Sequence, residues 1–180
     1  MHYNVDSLNP PKIEFIGAQA AALKLDLIHL LDTRVSASEW PSVEAKLTSA
    51  FAGTNMKWLF RFFEGGMGGP GKARCTIGGQ IVCHTNRLSA VTCESVVKLG
   101  AAVYLKFNLN KIQYASIGTY WPCPNNEAGS FQSHIEAAYC GLSAIPLIKS
   151  GIEMAVDAAI SSGRTFIVGG DFNSNLAQGD

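Results

Sequence analysis

The C-terminal part of the sequence carries an acidic and an amide residue directly after a strand-like segment. The apolar residues 166–168 are followed by two glycines and then by Asp171 and Asn173. In an extended chain, residues i and i+2 face the same side, so these side chains point together from the carboxyl end of a core strand. A carboxylate beside a carboxamide suits metal-assisted hydrolysis, because one group accepts a proton or holds a cation while the other orients water or phosphate. Asp-x-Asn is also common turn chemistry, and taken alone this motif favours a turn.

Similar side chains occur at the ends of three other predicted strands. Together they place a carboxylate, a carboxamide or a phenol at four strand ends, which is a stronger indication than any single motif. Such an oxygen-rich set is typical of a site for Mg²⁺ or Mn²⁺, which prefer carboxylate, carbonyl and water ligands. The additional residues are Asn4, Asp6, Asp32, Tyr120 and Asn125.

Composition indicates a folded protein without a strong overall charge. The chain has 180 residues, of which 47% are hydrophobic and 16% are charged, so it can bury a sizeable core. Its 14 basic and 14 acidic residues cancel. No global field therefore attracts nucleic acid, and any binding of phosphate must come from a local site.

Cysteine usage and hydropathy indicate the compartment. The five cysteines are an odd number without a CxxC pair or a zinc-type spacing, which favours reduced thiols in an intracellular protein. The first residues are polar and no apolar run reaches transmembrane length. We expect a soluble intracellular protein that needs no membrane, and no protein partner is evident.

The periodicity predicts alternating strands and helices within a single domain that spans residues 1–180. The glycine-dense residues 65–79 are expected to form a mobile surface loop. Helices are predicted at residues 13–24, from a cap at Ser38 to about Phe51, and over 131–162 with an interruption near 141–146. Strands are predicted at 2–6, 26–31, 57–64, 79–84, 101–108, 112–121 and 165–168.

Five short motifs, in chain order, carry a resemblance to a known family. They are Asn-Val-Asp at 4–6, Leu-Leu-Asp-Thr-Arg at 30–34, Gly-Gly-Gln-Ile-Val at 78–82, Gly-Thr-Tyr-Trp-Pro-Cys-Pro-Asn at 118–125 and Gly-Gly-Asp-Phe-Asn at 169–173. Over nearly the whole chain, this order resembles the endonuclease/exonuclease/phosphatase superfamily. The Gly-Asp-x-Asn element is the most specific, and the residues of the second and third motifs are most similar to those of endonuclease domains of non-LTR retrotransposons. The resemblance implies a four-layer α/β sandwich of two packed mixed sheets flanked by helices.

The resemblance also implies roles for the metal-binding side of the site. Asn4 and Asp6 would position a Mg²⁺ or Mn²⁺ ion and its waters, and Asp32 stands where the family has a metal-binding glutamate. Asp32 is one methylene shorter than glutamate, so its contact with the ion is expected to shift or to pass through water.

On the catalytic side, the resemblance implies four further roles. Asp171 would orient or deprotonate the attacking water, and Asn173 would hydrogen-bond phosphate or a catalytic partner. Tyr120 and Asn125 would contact the scissile phosphate. The implied reaction is in-line attack of water on a phosphodiester.

The family continues beyond Gly-Asp-x-Asn with further strands and a Ser-Asp-His element, whereas this chain ends at Asp180. The expectation is therefore a domain incomplete on its C-terminal side and a weakly active or inactive product. The leading hypothesis is a metal-dependent DNA endonuclease of retroelement type, which would act in the nucleus of a eukaryote. The alternatives are a phosphatase or phospholipid phosphodiesterase of the same superfamily, and an inactive remnant kept as a binding module.

Three groups of residues receive simpler interpretations. His29, His84 and His134 are expected to be structural or surface histidines. The aromatic residues of 58–63 are expected to lie in the core rather than to stack on bases. Four basic residues could contact a nucleic-acid backbone, although a simple solvent-exposed position is at least as good an explanation of them. They are Arg61, Lys72, Arg74 and Arg87.

Overall fold

Two four-stranded β-sheets form the centre of the protein. A computed structural model describes residues 1–67, 75–123 and 129–173. The strands in these residues are β1 (His2–Asn4), β2 (Leu27–Leu31), β3 (Trp58–Phe63), β4 (Gly66–Met67), β5 (Cys75–Ile77), β6 (Gln80–Thr85), β7 (Ser89–Val97), β8 (Ala102–Leu109), β9 (Ile112–Tyr120) and β10 (Thr165–Asp171). The α-helices are α1 (Pro10–Ala22), α2 (Trp40–Phe51), α3 (Phe131–Ala138) and α4 (Ala144–Ser161).

The strand order places the ends of several strands close together. The first sheet has the order β1-β2-β6-β3 and the second has the order β10-β9-β8-β7. In each sheet one edge pair is parallel: β1 with β2, and β9 with β10. The remaining pairs within the two sheets are antiparallel. The edge strands β1 and β10 lie against each other, so the carboxyl ends of four strands meet on one side of the sandwich.

Prolines and caps determine where the first two helices begin. Asn9 caps α1 by accepting a hydrogen bond from the Lys12 backbone N–H at 3.1 Å, and prolines occupy the first positions of the helix. The helix therefore starts at Pro10, three residues before the predicted start. A capping box between Ser36 and Glu39 starts a short 3₁₀ turn, from which α2 continues at Trp40.

The hydrophobic residues form four layers. Helices α1 and α2 pack on the outer face of the first sheet through Ile16 and Phe51, which contact a cluster containing Ile28 and Phe60. Helix α4 covers the outer face of the second sheet, where Ala159 belongs to one cluster with residues of β8 and β9. Between the sheets, Val82 of β6 packs in one cluster with residues of β8. This helix–sheet–sheet–helix arrangement confirms the predicted four-layer α/β sandwich.

A buried polar cluster joins the two sheets. The ring of His29 is 0% exposed, with Nδ1 2.7 Å from Gln80 Nε2 and Nε2 3.0 Å from Ser116 Oγ. Because an amide N–H donates to Nδ1, the ring carries its proton on Nε2 and donates to the serine hydroxyl. The ring of His2 stacks on His29 with centroids 4.7 Å apart. His29 is therefore a structural histidine, as predicted.

The close approach at this cluster requires a glycine in β9. A Cβ atom at Gly118 would lie 2.2 Å from both Gln80 Nε2 and His29 Nδ1, far inside van der Waals contact. The inner faces of the sheets can meet here only because residue 118 has no side chain.

We expect Gly118→Ala to lower the free energy of unfolding by about 3 kcal/mol, because the added methyl forces the two sheets apart. Urea denaturation measures this loss. Gly53→Ala is the matched control, since a Cβ there has nothing within 4 Å. Equal midpoints for the two variants would show that the sheets do not meet as described.

The histidine pair predicts a loss of stability in acid. Burial lowers the pKa of His29 well below its usual value. The pKa of His2 is lowered to about 4, mainly by burial and to a smaller extent by the charge of the nearby N-terminal amine. Both rings stay neutral in the folded protein, whereas the unfolded chain takes up protons below about pH 6.5. Their contribution is therefore complete above pH 6.5 and falls, as pH decreases, by about 1.4 kcal/mol per pH unit for each ring. Urea denaturation between pH 7 and pH 5 should show a slope that His2→Phe, which keeps a stacked ring, reduces. An unchanged slope would contradict this assignment.

Most predicted elements lie where the sequence placed them, with two exceptions. Strand β7 was not predicted, because this sheet-edge strand is largely exposed and lacks an apolar run. Residues 65–79 were predicted to be a loop, but β4 and β5 pair there and Gly78 and Gly79 are buried. The cysteines whose side chains are described carry free thiols. In the described ranges, none of the helices has the length and apolarity needed to cross a bilayer.

Candidate active site

One hydrogen bond joins the two sheets at the end where four strands finish. Asn4 ends β1 and Asp171 ends β10, and the Asn4 amide Nδ2 donates to Asp171 Oδ2 at 2.5 Å. The two residues are 167 positions apart in the sequence. The predicted convergence of their strand ends therefore brings an amide and a carboxylate into direct contact.

The Asp171 carboxylate is also held from its other side. The backbone N–H of Asn173 donates to Asp171 Oδ1 at 3.1 Å, and the Asn173 side-chain Nδ2 donates to the Trp121 carbonyl at 2.7 Å. Asn173 has φ of +42°, a left-handed conformation that asparagine tolerates better than most residues. The turn after β10 therefore fixes the orientation of the carboxylate.

Tyr120 lies beside Asp171 across the parallel β9–β10 pair, in direct register. Its ring packs on Phe131 with centroids 5.1 Å apart. Burial, with the negative charge of Asp32 second, raises the pKa of Tyr120 well above its usual value. The phenol therefore keeps its proton and can donate a hydrogen bond.

Asp6 follows β1 in an exposed turn. The Asn4 side-chain Oδ1 accepts a hydrogen bond from the Asp6 backbone N–H at 3.0 Å, so Asn4 connects Asp171 with this turn. The Asp6 side chain is 74% exposed and its Oδ1 lies 2.7 Å from Arg34 Nη2. Asp6 is thus directed to the guanidinium of Arg34.

Asp32 is the buried acid of the site, with only 2% of its surface exposed. Its Oδ1 accepts from the Gly78 backbone N–H at 2.8 Å and from Arg34 Nε at 3.2 Å, and its Oδ2 accepts from Arg34 Nη2 at 2.7 Å. Asp32 and Arg34 form a fork-like, two-point ion pair, the strong form of this interaction.

A divalent ion does not fit at Asp32 in this arrangement. Asp32 Oδ1 already accepts two N–H groups, and the Arg34 guanidinium faces both carboxylate oxygens, where its positive charge repels a second cation. Within the described ranges, no three acidic, histidine or cysteine side chains converge to hold a metal ion. The assignment of Asn4, Asp6 and Asp32 as metal ligands stays a prediction.

Comparison with solved structures identifies the fold. A protein of the endonuclease/exonuclease/phosphatase family from Leptotrichia buccalis superposes with a TM-score of 0.57 at 14% sequence identity, over 98% of this chain and 66% of the other. The catalytic domain of Xenopus laevis APE2 gives 0.57 at 14% identity, over 96% and 57%. A mannosyl-6-phosphatase from Bacteroides thetaiotaomicron gives 0.58 at 8% identity, over 98% and 65%. The chain has the endonuclease/exonuclease/phosphatase fold.

The matches cover nearly all of this chain but only part of each solved structure. The chain spans 57–66% of the length of these three solved structures. No protein-family profile matches the sequence, and no curated protein matches it. The expected incompleteness of the domain stays a prediction.

On this endonuclease/exonuclease/phosphatase fold, most of the predicted residues come together and a few do not. Asn4, Asp6, Asp32, Tyr120, Asp171 and Asn173 surround one end of the sandwich. Asn125, Lys72 and Arg74 lie outside the described residues. Arg87 follows the far end of β6, because the antiparallel register pairs Gln80, not Thr85, with the site end of β2. There Arg87 pairs with Asp26 at 3.2 Å, away from the site.

Sequence reasoning missed two residues that shape the site. Arg34 belongs to the Leu-Leu-Asp-Thr-Arg motif, but the motif does not indicate its ion pairs with Asp32 and Asp6. Lys12 of α1 reaches back to the turn after β1, where its Nζ donates to the carbonyls of Val5, of Asp6 at 2.7 Å and of Ser7 at 3.0 Å. A lysine six residues after an acidic turn would have been the only signal.

We expect Lys12→Met to loosen the turn that carries Asp6, because three neighbouring carbonyls lose their common donor. The free energy of unfolding should fall by about 1–2 kcal/mol. Amide hydrogen exchange at Asp6 and Ser7 should accelerate. Lys46→Met, at an exposed position of α2, is the control and should change neither quantity. Unaltered exchange in Lys12→Met would show that these hydrogen bonds do not hold the turn.

Proposed function

We propose that the protein hydrolyses phosphate esters, and that its substrate is the phosphodiester backbone of DNA, as in an endonuclease of retroelement type. The observation that carries this proposal is the Asp171 carboxylate, held between the Asn4 amide and the Asn173 backbone N–H beside the neutral phenol of Tyr120. A fixed carboxylate next to a hydrogen-bond donor is what attack of water on a phosphate requires.

Asp171 is the group that would act on the attacking water. Each of its carboxylate oxygens accepts one hydrogen bond, from Asn4 and Asn173 respectively, so each keeps a further lone pair for a water molecule. A water held there transfers a proton to the carboxylate as its oxygen attacks phosphorus, while the ester P–O bond in line with the attack breaks and the leaving oxygen takes up a proton from solvent. Asn4 and Asn173 are then positioning residues, because they act through Asp171.

Donors for the phosphoryl oxygens lie on the neighbouring elements. Tyr120 keeps its phenolic proton and lies in register with Asp171. The Arg34 side chain is 36% exposed, and its Nη1 has no partner in the described part of the chain. Donors that are in place before reaction stabilise charge that develops on phosphate. The predicted phosphate contact of Asn125 stays part of this proposal.

The choice of DNA as substrate rests on the sequence motifs and on the activities for which solved structures with the same fold are named. The solved structures with this fold include an AP endonuclease from Archaeoglobus fulgidus, with a TM-score of 0.52 at 12% identity, over 96% of this chain and 56% of that one. The mannosyl-6-phosphatase shares the same fold, so the test must separate diesters from monoesters. Mg²⁺ or Mn²⁺ stays the predicted cofactor.

We expect the protein to nick supercoiled plasmid when Mg²⁺ is added, and we expect Asp171→Asn to reduce the rate by at least about 100-fold. The asparagine keeps the size of the side chain but cannot accept the proton from water. Asp157→Asn, at an exposed position of α4, is the matched control and should keep the rate. Gel electrophoresis of nicked and closed plasmid measures the reaction, and circular dichroism verifies folding.

The other outcomes contradict the proposal in distinct ways. Release of inorganic phosphate from a sugar phosphate while plasmid stays intact would indicate a phosphatase. A wild-type chain that cleaves neither substrate with Mg²⁺ or Mn²⁺ would indicate the inactive remnant. Retention of nicking by Asp171→Asn would show that another group handles the proton.

A further inference from the structure

Arg34 lies between two carboxylates at the site. Its Nη2 is 2.7 Å from Asp32 Oδ2 and 2.7 Å from Asp6 Oδ1, and its Nε donates to Asp32 Oδ1. We call this set of Asp6, Arg34 and Asp32 the arginine bridge. The bridge links the turn after β1 with the turn after β2.

The buried member of the bridge depends on the arginine. The Asp32 side chain is 3% exposed, whereas Arg34 is 36% and Asp6 is 74% exposed. A carboxylate removed from water needs a paired cation and hydrogen bonds, and the bridge supplies both. The guanidinium of arginine stays protonated in proteins, so Arg34 remains charged. The positive charge at this position is therefore permanent.

The backbone is shaped to bring Arg34 onto Asp32. Both residues have φ of +53°, the left-handed region that a non-glycine residue such as arginine seldom adopts. Backbone hydrogen bonds hold this turn, from the Arg34 N–H to the Gly78 carbonyl at 2.9 Å and from the Thr33 N–H to the Gly79 carbonyl at 3.2 Å. Uncommon backbone conformations persist where the surrounding structure enforces them, often at functional sites.

We propose that Arg34 is the resident cation of this site. Its guanidinium binds the Asp32 carboxylate in the place of a divalent ion. Arg34 therefore competes with divalent cations for the two carboxylates of the arginine bridge. The inference concerns the same site as the proposed hydrolysis. It is tested by cation binding, however, and therefore fails separately from any failure to cleave DNA.

The charges of the bridge determine how large the competition is. Two carboxylates and one guanidinium leave a net charge of −1, and removal of the guanidinium leaves −2. A unit positive charge a few ångströms from a divalent ion weakens its binding by roughly tenfold or more. Replacing Arg34 by a neutral side chain of similar length should therefore increase divalent-ion affinity by about that factor.

Binding of Mn²⁺ to the full chain, measured by electron paramagnetic resonance, tests the proposal. We expect Arg34→Met to bind Mn²⁺ about tenfold more tightly than the wild-type protein. Combining Arg34→Met with Asp32→Asn should remove this gain, because the carboxylate that Arg34 releases is then absent. Asparagine is suited to residue 32, because it tolerates a left-handed backbone.

The control is the second arginine–aspartate pair. Arg87→Met releases Asp26 from its 3.2 Å ion pair at the other end of the sheet and should leave Mn²⁺ affinity unchanged. Thermal unfolding verifies that each variant is folded at the temperature of the measurement.

Three results would overturn the proposal. A double variant that keeps the tenfold gain would show that Asp32 is not the carboxylate that Arg34 withholds from the ion. An Arg34→Met affinity equal to that of the wild type would show that no competition exists. An equal gain in Arg87→Met would show that the effect is one of overall charge.

Discussion

The close contact between the two sheets at the His29 cluster is the constraint on which the rest of the structure depends. His29, Gln80 and Ser116 fill the space opposite Gly118 and set the separation of the sheets. That separation allows the edge strands β1 and β10 to lie against each other, and only then can the Asn4 amide reach the Asp171 carboxylate. The buried contacts of His29 thus determine the distance between Asn4 and Asp171 at the surface, because a close-packed protein core is nearly incompressible.

The site itself has two parts that differ in electrostatic character. Around Asp171 the hydrogen-bond donors are the neutral Asn4 amide and the Asn173 backbone N–H, and the protonated phenol of Tyr120 lies in register on the neighbouring strand. Around Asp32 the partner is a guanidinium, whose positive charge balances that of the buried carboxylate. Asn4 separates the two parts, since its Nδ2 serves Asp171 and its Oδ1 receives the Asp6 N–H. One amide side chain thereby lies between the Asp171 carboxylate and the two carboxylates that pair with Arg34.

Much of the fold and part of the site could be predicted from sequence. Strand ends were readable because strand-like segments such as residues 26–31 are followed directly by a polar residue, and parallel strands place such residues together. The pairing of Asp32 with Arg34 could not be read, because it depends on two left-handed residues and on backbone bonds to Gly78 and Gly79. Strand β7 escaped for a related reason: an edge strand with alternating polar residues carries little hydrophobic signal.

The separation of 167 residues between Asn4 and Asp171 has a consequence for how the protein becomes functional. Loop closure over so long a segment is entropically unfavourable until the strands between are in place. Because β10 pairs with β9 in register from Thr165 to Asp171, the carboxylate arrives only when the last described strand docks. During synthesis the first sheet and its helices can therefore assemble early, while the site stays unformed. A chain that has not yet docked β10 has nearly the whole fold but none of its proposed chemistry.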